Sequence, residues 1–426
     1  MTLATFNKRS RAQVVRALAR TEFDLLIIGG GISGASIFRD ASLRGMKVAL
    51  IEARDFASGT SSRSSKLVHG GLRYLKTLGL RLARESCKER NLHIRLNKRL
   101  VRPIPFLVPI YTGKGDSKFM LRIGMLLYEA LSGFQNFKFH RFLSREDTLT
   151  LAPGIPSEGL EGGVEYYDAE VSDNRWTMEI IKDGVRNGGV ALNYAPITGL
   201  MKSGGLVSGV TINDTISGKQ HHIRARCVIN ATGVATDSIR AMDGQTSALV
   251  RLSKGTHLVF KEEDVPITVT TVFNSPIDGR PLFLAKHEGA VLYGTTDDYV
   301  EDDPGAPMPA KKDCDYLLKS LALFMPSARL DRRKVQFAYS GFRPLIKSGS
   351  TSVEASREDL IETSLSGLIS VVGGKLTTAR IMATRVLDTA RPILGTIPGK
   401  CLTGKLSIGG TNKDVAEGLL LWVKRY

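Results

Sequence analysis

The residues of this chain best suited to chemistry stand in a few glycine-flanked stretches. Thr60 to Leu75 reads TSSRSSKLVHGGLRYL, a run of hydroxyls and cations with one imidazole. Far downstream stand Tyr339-Ser340-Gly341-Phe342-Arg343-Pro344 and Gly373-Gly374-Lys375-Leu376-Thr377-Thr378. Arginine forks and a lysine ammonium suit an anionic group such as a phosphate dianion. His69 and His257 have the titration range of a general base. Upstream, Gly29-Gly30-Gly31-Ile32-Ser33-Gly34 has the G-x-G-x-x-G spacing of a turn that receives a pyrophosphate.

Positioning these groups calls for a strand, a turn and a helix in close order. The apolar run Phe23 to Ile28, bounded by glycines, reads as a buried parallel strand. Gly29 allows the turn, Gly31 lets the backbone approach pyrophosphate, and Gly34 lets helix pack on strand. The following helix is expected to turn Ile37, Ala41 and Leu43 toward the sheet, with Gly45 as its cap. Its N-terminus offers free N–H groups and a favourable dipole to a pyrophosphate. Lys47 to Glu52 reads as the second strand, and Glu52 stands where an acid hydrogen-bonds the adenosine ribose. An acid there disfavours NADP and leaves NAD and FAD open.

Two later strands favour FAD. Arg226 to Gly233 runs into the small-residue turn Ala231-Thr232-Gly233. Gly367 to Val372 runs into Gly373-Gly374, with a helix expected from Lys375. A helix start at that point, together with Lys375, would stabilise the negative charge that a flavin pyrimidine edge gathers on reduction.

At 426 residues the chain is long enough for at least two domains. It carries 59 basic and 42 acidic residues, a net charge of +17, which favours anionic ligands, an anionic membrane surface or nucleic acid. No RRM, helix-turn-helix or aromatic-interleaved basic stripe supports nucleic acid. Cys87, Cys227, Cys314 and Cys401 are far apart, so neither a zinc site nor a redox dithiol is expected, and a reducing cytosolic compartment fits. Residues 1–20 are basic and read as a solvated arm or short helix. Neither a secretory signal core nor a membrane span is evident.

Taken together, TSSRSSKLVHGGLRYL, KGTHLV (254–259), YGTTD (293–297), YSGFRP (339–344) and VVGGKLTTAR (371–380) resemble the FAD-dependent glycerol-3-phosphate dehydrogenases and the similar glycerol-3-phosphate oxidases. The resemblance runs from about Phe23 to about Gly410. It implies an α/β fold: a Rossmann-like FAD-binding domain of the glutathione-reductase type interleaved with a mixed α+β substrate domain. The FAD-binding segments are expected at 20–80, 155–245 and 340–385, and the substrate segments at 81–154 and 246–339. Residues 386–426 are expected to start a C-terminal helical domain that stops short. The turn Val234-Ala235 departs from the family, which has a proline and an aromatic there.

The reaction implied is oxidation of sn-glycerol 3-phosphate to dihydroxyacetone phosphate. The substrate is expected at Arg73, Tyr74, Thr295, Thr296, Arg343 and Lys375. Arg343, Lys375, His69 and His257 are the catalytic candidates, with the base left open between the two histidines. FAD is expected along Gly29, Gly31, Ile32, Ser33, Gly34, Glu52, Thr60, Ser61, Ser62, Ser64, Ser65, Lys66, Leu67, His69, Gly70, Ala231, Thr232, Gly233, Gly373, Gly374, Lys375, Leu376 and Thr377. The family's dehydrogenases pass electrons to quinone from the cytoplasmic membrane face, and its oxidases use oxygen. A homodimer stays open.

Phe119 to Leu131 is apolar, too short to span a bilayer, and flanked by Lys114, Lys118, Arg122 and Lys138. It reads equally as an interfacial helix on anionic lipid, which fits the net charge, or as a core helix. The remaining alternatives are a flavin amine oxidase, which would lack the TSSRSSKLVHGGLRY run, and an inactive flavin-binding form.

Overall fold

The computed structural model describes residues 11–72, 79–113, 115, 117–300, 306–347 and 359–409. Its described strands form two sheets. The first runs Asp359–Thr363, Ile369–Gly373, Lys219–Asn230, Glu22–Ile28, Val48–Ile51, Val190–Leu192. Ile369–Gly373, Lys219–Asn230, Glu22–Ile28, Val48–Ile51 and Val190–Leu192 are parallel in turn. An antiparallel pair, Ile197–Ser203 and Leu206–Asp214, extends Lys219–Asn230 on its N-terminal half.

Successive side chains of Glu22–Ile28 serve opposite faces. Leu25 and Ile27 pack with Ile37, Phe38, Ala41 and Trp176. Leu26 and Ile28 pack with Val15 and Leu18, which dock the helix Arg11–Arg20. Burial on both faces explains why the strand is an unbroken apolar run. Each such side chain contributes about 1.5–3 kcal/mol on burial. The helix Ile32–Leu43 is buried nearly all round, but Leu43 is only half-buried, contrary to expectation. Gly45 closes it with φ +79° and donates its N–H to Ser42.

The second sheet runs Asp298–Tyr299, Val250–Lys261, Ala290–Gly294, Pro281–His287, Thr270–Asn274, Val101–Tyr111, Leu160–Val171, Leu67–Val68. Val335–Ile346 pairs along the length of Val250–Lys261. The expected FAD-binding segments 155–245 and 340–385 thus take in strand residues, Leu160–Val171 and part of Val335–Ile346, that pair in the second sheet. One face of this sheet packs on the helix Lys311–Phe324 through Leu317, Leu321 and Phe324. The other packs on Lys118–Leu131 through Met125 and Tyr128.

The helix Lys118–Leu131 settles into neither expected extreme. It buries Met125, Tyr128 and Glu129 and presents Phe119, Met120, Ile123, Leu126 and Leu127 on its outer face. Phe119 is 69% exposed and Leu126 58%, and Phe134, Phe137 and Phe139 extend the apolar surface. Among the described residues no helix is long and apolar enough to cross a membrane.

Candidate active site

The glycine turn adopts its form because side chains are excluded from it. Gly29 sits at φ +107°, and a Cβ there would lie 2.6 Å from the Ala231 carbonyl oxygen. A Cβ on Gly34 would overlap the Gly29 carbonyl oxygen, and one on Gly31 would meet only Ser61 Oγ, at 3.2 Å. Glu52 is preset at the strand end: its carboxylate accepts Gly30 N at 2.6 Å and Arg54 N at 2.8 Å. Ser61 Oγ accepts Ile32 N at 2.8 Å, which brings the serine run to the helix N-terminus.

The run Thr60 to Gly70 is laid between two elements. On one side is Val335–Ile346: Thr60 Oγ1 donates to Phe342 O at 2.7 Å, Arg63 Nη1 to Ser340 O at 3.1 Å, and Tyr339 OH to Ser64 O at 2.9 Å. Gly341 makes room for Arg63, whose Cβ would lie 2.8 Å from an added Cβ. On the other side is the end of Leu160–Val171. Leu67 and Val68 pair with Glu170 and Ala169. Asp173 takes Ser64 and Lys66, and Asp168 takes Gly70 N at 3.1 Å. Ser62 turns to the Gly59 carbonyl instead.

Arg343 pairs with Ser253 across the ladder. Its guanidinium donates to Thr295 Oγ1 at 3.1 Å, Asp297 Oδ1 at 3.2 Å and Thr296 O at 3.3 Å. An added Cβ on Gly255 would overlap Nη2, so the absent side chain is the space the guanidinium fills. Thr296 differs from its expected part. Its buried hydroxyl accepts Thr256 N at 2.9 Å, and only its carbonyl meets Arg343.

His257 is 3% exposed and stacks on Tyr339, ring centroids 4.8 Å apart. Ser65 Oγ lies 2.9 Å from its Nε2. Burial, with the Arg343 and Lys66 cations nearby, pushes its pKa down to about 3, so the ring is neutral. His69 lies beside the third glycine stretch, its carbonyl 3.4 Å from Thr377 Oγ1. Lys375 is half-buried in that stretch. The helix expected from Lys375 begins instead at Ala379. Gly373 and Gly374 both take positive φ (+76° and +78°), and Thr378 N closes a turn on Lys375 O, which postpones the helix by one turn. Ala231 N bonds Ile28 O, and Thr232 and Gly233 continue into a short 3₁₀ turn that includes Val234 and Ala235. Arg73 and Tyr74 lie outside the described residues. No cluster of metal-ligating side chains occurs among the described residues.

Asp168, Asp173, Asp297, Ser253 and Gly255 join the site without having been singled out in the sequence. Asp297 and Gly255 did carry a signal, since they stand inside the YGTTD and KGTHLV motifs. Asp168, in the strand Leu160–Val171, and Asp173, at the start of the helix that follows it, carried none, because their partners lie about a hundred residues away.

The residues present fit FAD: the turn excludes side chains, the first helical turn and Ser61 stand ready for a pyrophosphate, and Glu52 is held for a ribose. Fold and site define a flavin-dependent oxidoreductase, and the family model for FAD dependent oxidoreductases matches residues 24–380. The chain is 36% identical over 417 residues to the aerobic glycerol-3-phosphate dehydrogenase of Staphylococcus epidermidis, covering 96% of this chain and 74% of that protein. It is 36% identical over 424 residues to that of Bacillus subtilis, covering 98% and 76%. The glycerol-3-phosphate dehydrogenase of Bacillus halodurans, solved with FAD, superposes with a TM-score of 0.80 at 32% identity, covering 99% of this chain and 75% of that one. An L-α-glycerophosphate oxidase from Mycoplasma pneumoniae shares the fold, with a TM-score of 0.68 at 17% identity, covering 88% of this chain and 95% of that one. The chain belongs to the FAD-dependent glycerol-3-phosphate dehydrogenase family.

Proposed function

We propose that this protein oxidises sn-glycerol 3-phosphate to dihydroxyacetone phosphate and passes the electrons to a quinone. The observation that carries the reading is the 36% identity to aerobic glycerol-3-phosphate dehydrogenases over nearly the whole chain. Bound FAD supplies the two-electron acceptor: the middle carbon loses its hydrogen with the bonding pair, the hydroxyl loses a proton, and the alcohol becomes a ketone. The chain's own residues do the rest. Arg343, with its fork aimed by Asp297 and Thr295, holds the phosphate together with Lys375, Arg73 and Tyr74. The hydroxyl proton goes to His69 or His257. The low basicity of buried His257 favours His69. The first sheet carries FAD and the second the substrate.

The apolar face of Lys118–Leu131, rimmed by Lys118, Arg122 and Lys138, is read as the contact with an anionic lipid surface on the cytoplasmic side. That location gives access to a quinone. The alternative acceptor is oxygen.

An anaerobic visible spectrum tests the reaction. Flavin absorbance is expected to bleach with sn-glycerol 3-phosphate and not with glycerol or amino acids. Bound flavin that ignores this substrate would overturn the reading. Re-oxidation by a quinone analogue rather than by oxygen then selects the acceptor.

A further inference from the structure

Asp173 opens the helix Asp173–Arg186, yet its carboxylate serves the serine-rich run more than a hundred residues upstream. One oxygen accepts Ser64 N at 3.1 Å and Ser64 Oγ at 2.6 Å. The other pairs with Lys66 Nζ and accepts Asn174 N at 2.8 Å. The Asp173 side chain is 0% exposed. A carboxylate so placed cannot exchange these partners for water, so they share one geometry.

The run needs such a constraint. Lys66 holds φ +61°, a left-handed conformation unfavourable for a side-chain-bearing residue. It is kept there by Val171 N on its carbonyl at 2.9 Å, by Ser64 Oγ on its N–H at 3.1 Å, and by its ammonium on Ser62 O at 3.0 Å. Ser65, between the two residues Asp173 holds, meets His257. The Lys66 ammonium is close enough to His257 to act on it electrostatically.

We propose that Asp173 is the positioning residue of the flavin-facing run: through Ser64 and Lys66 it holds that run in one conformation and fixes the Lys66 cation at the site. The proposal rests on the FAD-dependent reading of the site. It assigns Asp173 no contact with substrate or cofactor.

The test uses Asp173→Asn, which keeps the shape and removes the charge, and reads FAD affinity and the midpoint potential of bound FAD without substrate. With the carboxylate gone, the Lys66 charge is uncompensated. FAD affinity is expected to fall at least tenfold and the potential to move to more positive values. In a Lys66→Met background, Asp173→Asn should bring the potential back toward the wild-type value, since both charges of the pair are then gone, and Asp173→Glu in the otherwise wild-type chain should keep part of the affinity. Wild-type FAD affinity and potential in a folded Asp173→Asn would overturn the proposal. Should that variant not fold, Lys66→Met must make the potential more negative and Ser64→Ala must weaken FAD binding; wild-type values in both would overturn it equally. Neither quantity involves the substrate, so absence of bleaching by sn-glycerol 3-phosphate would count against the substrate assignment alone.

Discussion

Arg343 Nη2 and Thr295 Oγ1 lie 3.1 Å apart although 48 residues separate them in the chain. The contact places an arginine fork at the exit of Ala290–Gly294, with Asp297 on its other nitrogen. If this fork holds the substrate phosphate, Arg343→Ala should raise KM by roughly 10²-fold or more, since a charged hydrogen-bond pair contributes about 1.5–3 kcal/mol per contact. FAD content should stay that of the wild type. Arg343→Lys should recover little, because a single ammonium cannot reproduce a planar fork. Steady-state kinetics with a soluble acceptor checks both.

Gly255 offers a test that leaves the arginine in place. Its missing Cβ is the space occupied by Arg343 Nη2. Gly255→Ala should push the guanidinium aside and raise KM at least tenfold while the flavin spectrum stays unchanged. A wild-type KM would show that the observed guanidinium position is not the one used for binding.

Gly31 and Gly34 of the turn should respond differently. Gly31 lies at φ −79°, open to an ordinary side chain, with only Ser61 Oγ near. Gly31→Val should therefore fold with near wild-type thermal stability and yet bind no FAD. Gly34→Ala should lose both flavin and stability, because its Cβ would collide with the Gly29 carbonyl, and overpacking of this kind costs about 1–3 kcal/mol or more. Thermal melts with and without added FAD separate the two outcomes.

Stability should fall in mild acid. His93 and His257 are both pushed down to about 3, in each case first by burial; Arg380 adds to it at His93, and Arg343 and Lys66 at His257. In the unfolded chain each takes up a proton near pH ~6.5. Between about pH 6.5 and pH 3 the unfolded state thus binds more protons, and stability is present above that window and lost progressively as pH falls through it. Denaturation midpoints at pH 7, 6 and 5 should show this trend. Replacing either histidine with glutamine should flatten the slope by about one proton, whatever it does to the absolute level.

The outer face of Lys118–Leu131 should bind vesicles. Wild-type protein is expected to co-sediment with phosphatidylglycerol vesicles and less with phosphatidylcholine vesicles, with binding weakened by salt. Leu126→Asp combined with Phe119→Asp should abolish co-sedimentation without altering the flavin spectrum, because both side chains are exposed. Unchanged binding would remove this face as the docking surface.

The sequence by itself determined the nucleotide half of this protein. A buried strand, a glycine turn, a helix and an acid are local features, set by chirality, turn sterics and two-sided burial, and they recur in the structure within a residue or two. The start of the helix Ala379–Leu394 escaped because two consecutive left-handed glycines override a helical composition. What only tertiary structure decided is the pairing of distant charges. That Asp173 holds Ser64 and Lys66, that Asp168 holds Gly70, and that Thr295 rather than Thr296 turns its hydroxyl to Arg343 depend on strand register across the second sheet. Register follows from which side chains each face buries and from the connecting turns, and a one-residue slip would exchange every partner; a strand read alone does not show which distant neighbour it meets.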